Sequence, residues 1–306
     1  MTTDLLIVGA GPAGVSAALW ARTLHLGVVL IESAPRIGGQ LQAIHFEPRE
    51  LPGIVPGDGA SLAERYQGQL AAADIAVRIG EVAAGIEADR TGVIVRVVGS
   101  QRIPARALLI ATGLRRRRLE VPGAEAFVGR GVSTSSTRDR AQLAGSDVVV
   151  VGSGDAAFEN ALLLAEVGCR VGLIVRGSPR ARPEFRRRVA AEARIEVLEH
   201  TRVLEILGDS RVRAVKLEGP RGPSERQVAG VVIKIGAVPN TEWCADAVAC
   251  DAAGYVIADA RGRTSLDRVW AAGDVTRPAL PSLSVACGTA ALAVANVRAT
   301  LDQPRG

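Results

Sequence analysis

The residues best placed to do chemistry lie at the start of the chain, where Gly9-Ala10-Gly11-Pro12-Ala13-Gly14 follows Leu5-Leu6-Ile7-Val8. Four consecutive apolar residues read as a short buried strand. The glycines permit a tight turn and close backbone approach to a ligand, and Ala17 to Leu24 continue as a helix whose N-terminus faces a pyrophosphate. Val28-Val29-Leu30-Ile31 reads as a second buried strand ending on Glu32. That carboxylate falls about 20 residues past the glycines, where it accepts from ribose hydroxyls. A lone G-x-G-x-x-G is a weak signal. Strand, turn, helix, strand and acid in this order describe a dinucleotide cradle.

The pattern occurs twice. Val148 to Val151, Gly152-Ser153-Gly154-Asp155-Ala156-Ala157 and a helix over Phe158 to Val167 repeat strand, glycine turn and helix. The strand after this second turn ends on Arg176, with Arg180 and Arg182 behind it. An acid there favours NAD, whereas arginine accommodates the 2′-phosphate of NADP. Part of the arginine-rich stretch 176–188 reads equally as solvated helix surface. Two further small-residue turns carry polar side chains. In Gly38-Gly39-Gln40-Leu41 the paired glycines suggest another close backbone approach. In Val269-Trp270-Ala271-Ala272-Gly273-Asp274-Val275 the carboxylate of Asp274 either binds a ligand hydroxyl or caps a turn. His45 is a candidate proton carrier or a plain loop histidine.

The intervening segments must position these turns. Residues 75–80, 81–86 and 93–98 read as an antiparallel meander, and Arg106 to Gly113 as a buried strand that returns to the first sheet. A second meander is expected over 195–198, 202–207, 211–217 and 227–235, and a final helix over 284–299. The four arginines at 115–118 mark an exposed crossing that reads first as a solvated linker face and second as a dock for an acidic partner.

Composition narrows the function. The 306 residues suffice for two domains, and 48% hydrophobic with 3% aromatic fits an aliphatic α/β protein. The net charge of +5 comes almost wholly from arginine, the only lysines being Lys216 and Lys234. No basic stripe interleaved with aromatics supports nucleic-acid binding. The apolar start is too short for a signal peptide, and no uninterrupted apolar run reaches about 18 residues, so a cytoplasmic chain without a membrane span is expected. Cys169, Cys244, Cys250 and Cys287 are scattered, which argues against a disulfide framework or a metal site.

Taken together, Gly9 to Gly14 with Glu32, Gly38 to Leu41, Ala111-Thr112-Gly113, the turn at 152–157, Ile235-Gly236 with Pro239-Asn240, and Ala272 to Val275 resemble the two-dinucleotide flavoproteins. The resemblance is closest to the low-molecular-weight thioredoxin reductases. It implies an α/β fold of two Rossmann-like dinucleotide-binding domains, of the three-layer ββα sandwich type, with the second inserted in the first. The FAD domain would comprise 1–114 plus 240–306, the NAD(P)H domain 115–239, and the protein would be a homodimer. FAD would be held by Gly9, Gly11, Pro12, Ala13, Gly14, Glu32, Gly39, Gln40, Leu41, Ala111, Thr112, Gly113, Gly273 and Asp274. NADPH would be held by Gly152, Gly154, Asp155, Ala156, Arg176 and Arg180.

The stretch Gly131-Val132-Ser133-Thr134-Ser135-Ser136-Thr137-Arg138 departs from that family. Ser135 and Arg138 occupy the two places of its C-x-x-C. A serine hydroxyl forms no disulfide and arginine is a fixed cation, so the usual thiol relay is excluded. The expected function is therefore an FAD-dependent oxidoreductase passing electrons from NAD(P)H to a non-dithiol acceptor. That acceptor would be a ferredoxin- or flavodoxin-like acidic carrier or a small molecule. The alternative is an FAD-dependent oxidase or dehydrogenase of a small organic substrate, with Ser135, Arg138, His45 or Cys287 lining its pocket.

Overall fold

In the computed structural model, residues 3–45, 47, 48, 51, 57–88, 91–99 and 101–303 are described. The chain runs β1 Thr3–Val8, α1 Pro12–Thr23, β2 Val28–Glu32, α2 Gly59–Ala72, β3 Ala76–Ile79, β4 Ala83–Ala88, β5 Val93–Val97 and β6 Gln101–Ile110. Then come β7 Leu114–Arg116, β8 Val132–Ser133, α3 Ser136–Leu143, β9 Asp147–Val151, α4 Asp155–Ala165, β10 Arg170–Ile174, α5 Pro183–Ala191 and β11 Ile195–Leu198. The remaining elements are β12 Arg202–Gly208, β13 Val212–Gly219, β14 Gly222–Gln227, β15 Gly230–Ile233, β16 Ala237–Pro239, β17 Val269–Ala271 and α6 Leu283–Leu301. These elements form two compact units, one comprising 1–115 with 238–306, the other 116–237.

In the first unit the sheet order is β3-β2-β1-β6-β5-β4, with β17 also pairing β6. β1 is parallel to both β2 and β6, and its last four residues are fully covered or nearly so. That is why it reads as an unbroken apolar run. β6 serves two partners: Ala105 to Ile110 run parallel beside β1, while its first half pairs antiparallel with β5. One strand thereby joins a parallel sheet to a meander of β4 and β5; β3, expected in that meander, lies instead parallel beside β2 at the other edge of the sheet. One sheet face is covered by α1 and α6, which meet through small side chains including Ala17, Ala21, Ala286, Ala290 and Ala293. α6 is long and apolar enough to cross a membrane, but its Ala290, Ala293, Val294 and Val297 are fully buried in this core. It is a core helix.

In the second unit a parallel sheet, β11-β10-β9-β15-β8, is covered on one side by α3, α4 and α5 and on the other by the antiparallel sheet β12-β13-β14. Two sequence expectations need correction here. Residues 195–198 do not belong to the meander but lie parallel beside β10. Residues 227–235 are not one strand: the polar edge strand β14 ends at Gln227, and Gly230–Ile233 re-enter the parallel sheet between β8 and β9. All four residues of β15 are buried, as a strand covered on both faces requires.

Candidate functional site

Two clusters of polar and glycine-rich turns stand at the carboxyl ends of the two parallel sheets, where α/β folds bind ligands. In the first unit Gly9 leaves β1 with φ +103°, and a Cβ there would meet the Ala111 carbonyl oxygen at 2.5 Å. A Cβ on Gly14 would sit 1.8 Å from the Gly9 oxygen, so turn and helix touch through bare backbone. Gly11 differs. The nearest atom to a Cβ there is Gly39 Cα at 4.0 Å, which leaves open space beside the start of α1. Gly11 is also the N-cap, without a side-chain cap on the helix. Uncapped first-turn N–H groups beside open space fit a pyrophosphate.

The other predicted residues converge on this turn. The Gly38 N–H donates to the Ala10 carbonyl at 2.7 Å, which ties the second glycine turn to the first. Glu32 is 8% exposed; one carboxylate oxygen accepts from the Ala10 N–H at 2.8 Å, the other from the Ala34 N–H at 2.8 Å. It clamps the turn as well as presenting a carboxylate beside it. Gly273 packs on Ala13 and its N–H donates to Thr289 Oγ1 at 3.1 Å, which brings the following residue, Asp274, to the start of α1. Gln40 Nε2 donates to Asp274 Oδ2 at 3.2 Å. Burial raises the Asp274 pKa, partly offset by that hydrogen bond. Thr112 exchanges hydrogen bonds with Asn240, its Oγ1 donating to the Asn240 carbonyl and Asn240 Nδ2 donating to its own. Ala111-Thr112-Gly113 is thus locked to the returning chain.

Two predicted residues stand apart. Leu41 is fully buried against Leu62 and Ala63, a packing residue. His45 lies near the carboxylate of Asp58, which caps α2 through the Ser61 N–H. Sequence reasoning missed a contact among distant residues: Cys287 Sγ lies 3.8 Å from the Pro12 carbonyl and 4.0 Å from the Tyr66 hydroxyl. Burial raises both the thiol and phenol pKa values. No spacing along the chain could have revealed it.

In the second unit Gly152 has φ +151°, and a Cβ there would meet the Lys234 carbonyl oxygen at 2.2 Å. Gly154 has open space around it and caps α4 without a side-chain hydrogen bond. The arginine loop folds onto this turn. Arg180 donates from its backbone N to the Ser153 carbonyl at 2.7 Å and from Nε to Ser153 Oγ at 3.0 Å. Arg182 donates from its backbone N to Asp155 Oδ1 at 2.7 Å and from Nε to Asp155 Oδ2 at 2.6 Å, holding that carboxyl below the usual carboxylate range. Arg176 instead lines an open groove with His200 and Arg202 beyond the ends of β10 and β11.

Ser135 is the N-cap of α3: it is 8% exposed, and its Oγ accepts from the Arg138 N–H at 3.4 Å. The Arg138 guanidinium pairs with Asp139, at 2.7 and 2.9 Å, and reaches Ser133 Oγ at 3.3 Å. Three of the four exposed arginines at 115–118 have partners. Arg115 is bonded to Glu242 and Asn240, Arg116 to the Thr134 carbonyl, and Arg118 lies 3.9 Å from Glu125.

The family model described as pyridine nucleotide-disulphide oxidoreductase matches residues 3–290. The chain belongs to this family. Within it, the protein is of the low-molecular-weight thioredoxin reductase type, an FAD-dependent oxidoreductase with NAD(P)H as reductant. It is 36% identical over 283 residues to a thioredoxin reductase of Mycolicibacterium smegmatis, covering 89% of this chain and 88% of that one. It is 31% identical over 299 residues to the F component of alkyl hydroperoxide reductase in Pseudomonas putida, covering 95% of this chain but only 56% of that protein. Among solved structures, thioredoxin reductase from Lactococcus lactis in its FR conformation superimposes with a TM-score of 0.81 at 28% identity, covering 97% of this chain and 98% of that one. Against this pyridine nucleotide-disulphide oxidoreductase background, the described residues contain no paired cysteines: Cys169, Cys244, Cys250 and Cys287 are all free thiols. Cys244 is buried and its pKa is pushed up to about 12 by burial and by Cys250, which makes it a poor nucleophile.

Proposed function

We propose that this protein takes reducing equivalents from NAD(P)H, bound at the Gly152 turn, and passes them through FAD, held at the Gly9 turn, to an acceptor that is not a dithiol. The acceptor is an acidic electron carrier of the ferredoxin or flavodoxin kind or a small molecule. The observation that carries this reading is the chemistry at Ser135 and Arg138. A buried helix-capping hydroxyl and an ion-paired guanidinium have no two-electron redox chemistry.

FAD supplies the redox chemistry when bound. The chain's own residues bind and orient. The open space beside Gly11 and the uncapped start of α1 suit the pyrophosphate. Glu32 and the Gln40–Asp274 pair supply polar contacts for the rest of the molecule. Gly154 and the start of α4 play the same part for the nicotinamide dinucleotide, with Arg176 on the 2′-phosphate. We read the protein as a homodimer in the cytoplasm, in keeping with the thioredoxin reductases, which are typically dimeric.

A second reading, direct oxidation of a small organic substrate, draws support from the arginine loop. Arg180 and Arg182 are already engaged with Ser153 and Asp155, and glycine stands at 177, which leaves the nucleotide few free cations. Anaerobic addition of NADPH or NADH to the purified yellow protein separates the two. Rapid bleaching by either supports the reductase. No bleaching by both overturns it and directs attention to organic reductants.

A further inference from the structure

Lys234, one of only two lysines in the chain, continues β15, the strand lying between β9 and β8. β9 leads into α4 and β8 into α3, so Lys234 stands between the starts of two helices, both of positive potential. Its backbone is fixed by donation to the Val151 carbonyl at 2.8 Å. Val232, two residues earlier, belongs to the core under α3 and α4, while Val231 and Ile233 face the opposite core. Strand alternation therefore sends the Lys234 side chain toward the helices. Its ammonium is half-buried, feels Arg116 as a like charge and has the exposed Glu159 as a distant counter-charge, without an ion pair among the described residues. Arg138, in turn, repels Arg116.

Three cations thus gather between two helix starts whose first turns carry Asp139 and Asp155, yet among the described residues only Arg138 of the three has a carboxylate partner in contact. The α3 amides do not account for an anion, since Ser135 Oγ and Asn160 Oδ1 take up the Arg138 and Ser136 N–H groups. A second unanswered group lies in the same turn: Ser136 is fully buried and its Oγ has no hydrogen-bond partner among the described residues. The α4 start, with open space at Gly154, is a separate place for a dinucleotide's phosphates. We propose that Lys234 and Arg116, aided by Arg138, form a binding site for a small organic carboxylate at the station where Ser135 and Arg138 replace a thiol pair. This rests on the reading of a non-dithiol acceptor and names the ligand class of its small-molecule branch. The carboxylate oxygens accept from the ammonium and guanidinium groups, as such charge-assisted bonds favour.

Succinate and benzoate, titrated into the flavin-loaded protein at constant ionic strength and followed by calorimetry, test this. At least one should bind saturably, one per chain, with and without saturating NADP+. Lys234→Met and Arg116→Met should each weaken it tenfold or more while keeping flavin content and circular dichroism unchanged. Lys234→Arg should retain it. Absence of saturable binding by both acids, equal affinity in Lys234→Met, or displacement by NADP+ would each overturn the proposal, the last by assigning the cations to the nucleotide's phosphates. Because binding needs no turnover, flavin bleaching by NADPH without carboxylate binding refutes this site and leaves the reductase reading intact.

Discussion

Arg176 and Lys234 are the two side chains on which single substitutions say most. Arg176 is the one motif arginine facing an open groove, whereas Arg180 and Arg182 are committed to Ser153 and Asp155. Arg176→Ala should weaken NADPH by about tenfold or more, the worth of a charged hydrogen bond of roughly 1.5–3 kcal/mol, and leave NADH nearly unchanged. Equal losses in a pair of binding titrations would make Arg176 structural. Lys234 differs in that its charge is conditional. Burial and Arg116 bring its pKa down to about 8 from the ordinary 10.5, against a small opposing effect of Glu159. Between those values the unfolded chain holds more protons than the folded one, so this residue makes stability rise with pH from about 8 to 10.5. Urea midpoints across that window should show the rise, and Lys234→Met should remove it. Carboxylate binding should run the other way, strongest below about pH 8, with Lys234→Arg abolishing the dependence.

At the scale of elements, the glycine turns make contrasting demands. Gly14 and Gly9 are in backbone contact, so Gly14→Ala cannot be absorbed without moving α1 off β1. It should lower the melting temperature of flavin-free protein as well as flavin retention. Gly11 faces open space, so Gly11→Ala should leave the flavin-free melting temperature close to wild type while flavin is lost on gel filtration. Similar damage to both variants by both measures would contradict the ligand-facing role of Gly11. Ser135 belongs to an element too: as the cap of α3, Ser135→Ala should cost about 1 kcal/mol in denaturant unfolding, with little effect on flavin reduction. A large fall in reduction rate would give its hydroxyl a catalytic part that its capping geometry does not require.

For the whole molecule, the fold was readable because the strand that opens each nucleotide-binding sheet is an unbroken apolar run before a glycine turn, Leu5 to Val8 in one and Val148 to Val151 in the other. The meander around 195–235 was less so, since period and β-propensity cannot tell a short buried parallel strand such as Ile195–Leu198 from an antiparallel one. Glu32, Gln40 and Asp274 were legible through motif order, and the structure adds the clamping hydrogen bonds that no pattern encodes. Lys234 carried a signal, a lone lysine closing an apolar strand in an arginine-rich chain, but its meaning depends on β15 lying between β8 and β9. The Cys287–Tyr66 contact carried none.

With serine and arginine at 135 and 138, electrons stored on this protein should reside on flavin alone. An anaerobic reductive titration of the FAD-loaded protein with dithionite, followed at the flavin absorbance, measures this directly. Complete reduction is expected at a single two-electron equivalent per flavin, with no lag before bleaching and no further uptake. Consumption of a second two-electron equivalent, as a flavin with a partner disulfide requires, would contradict it.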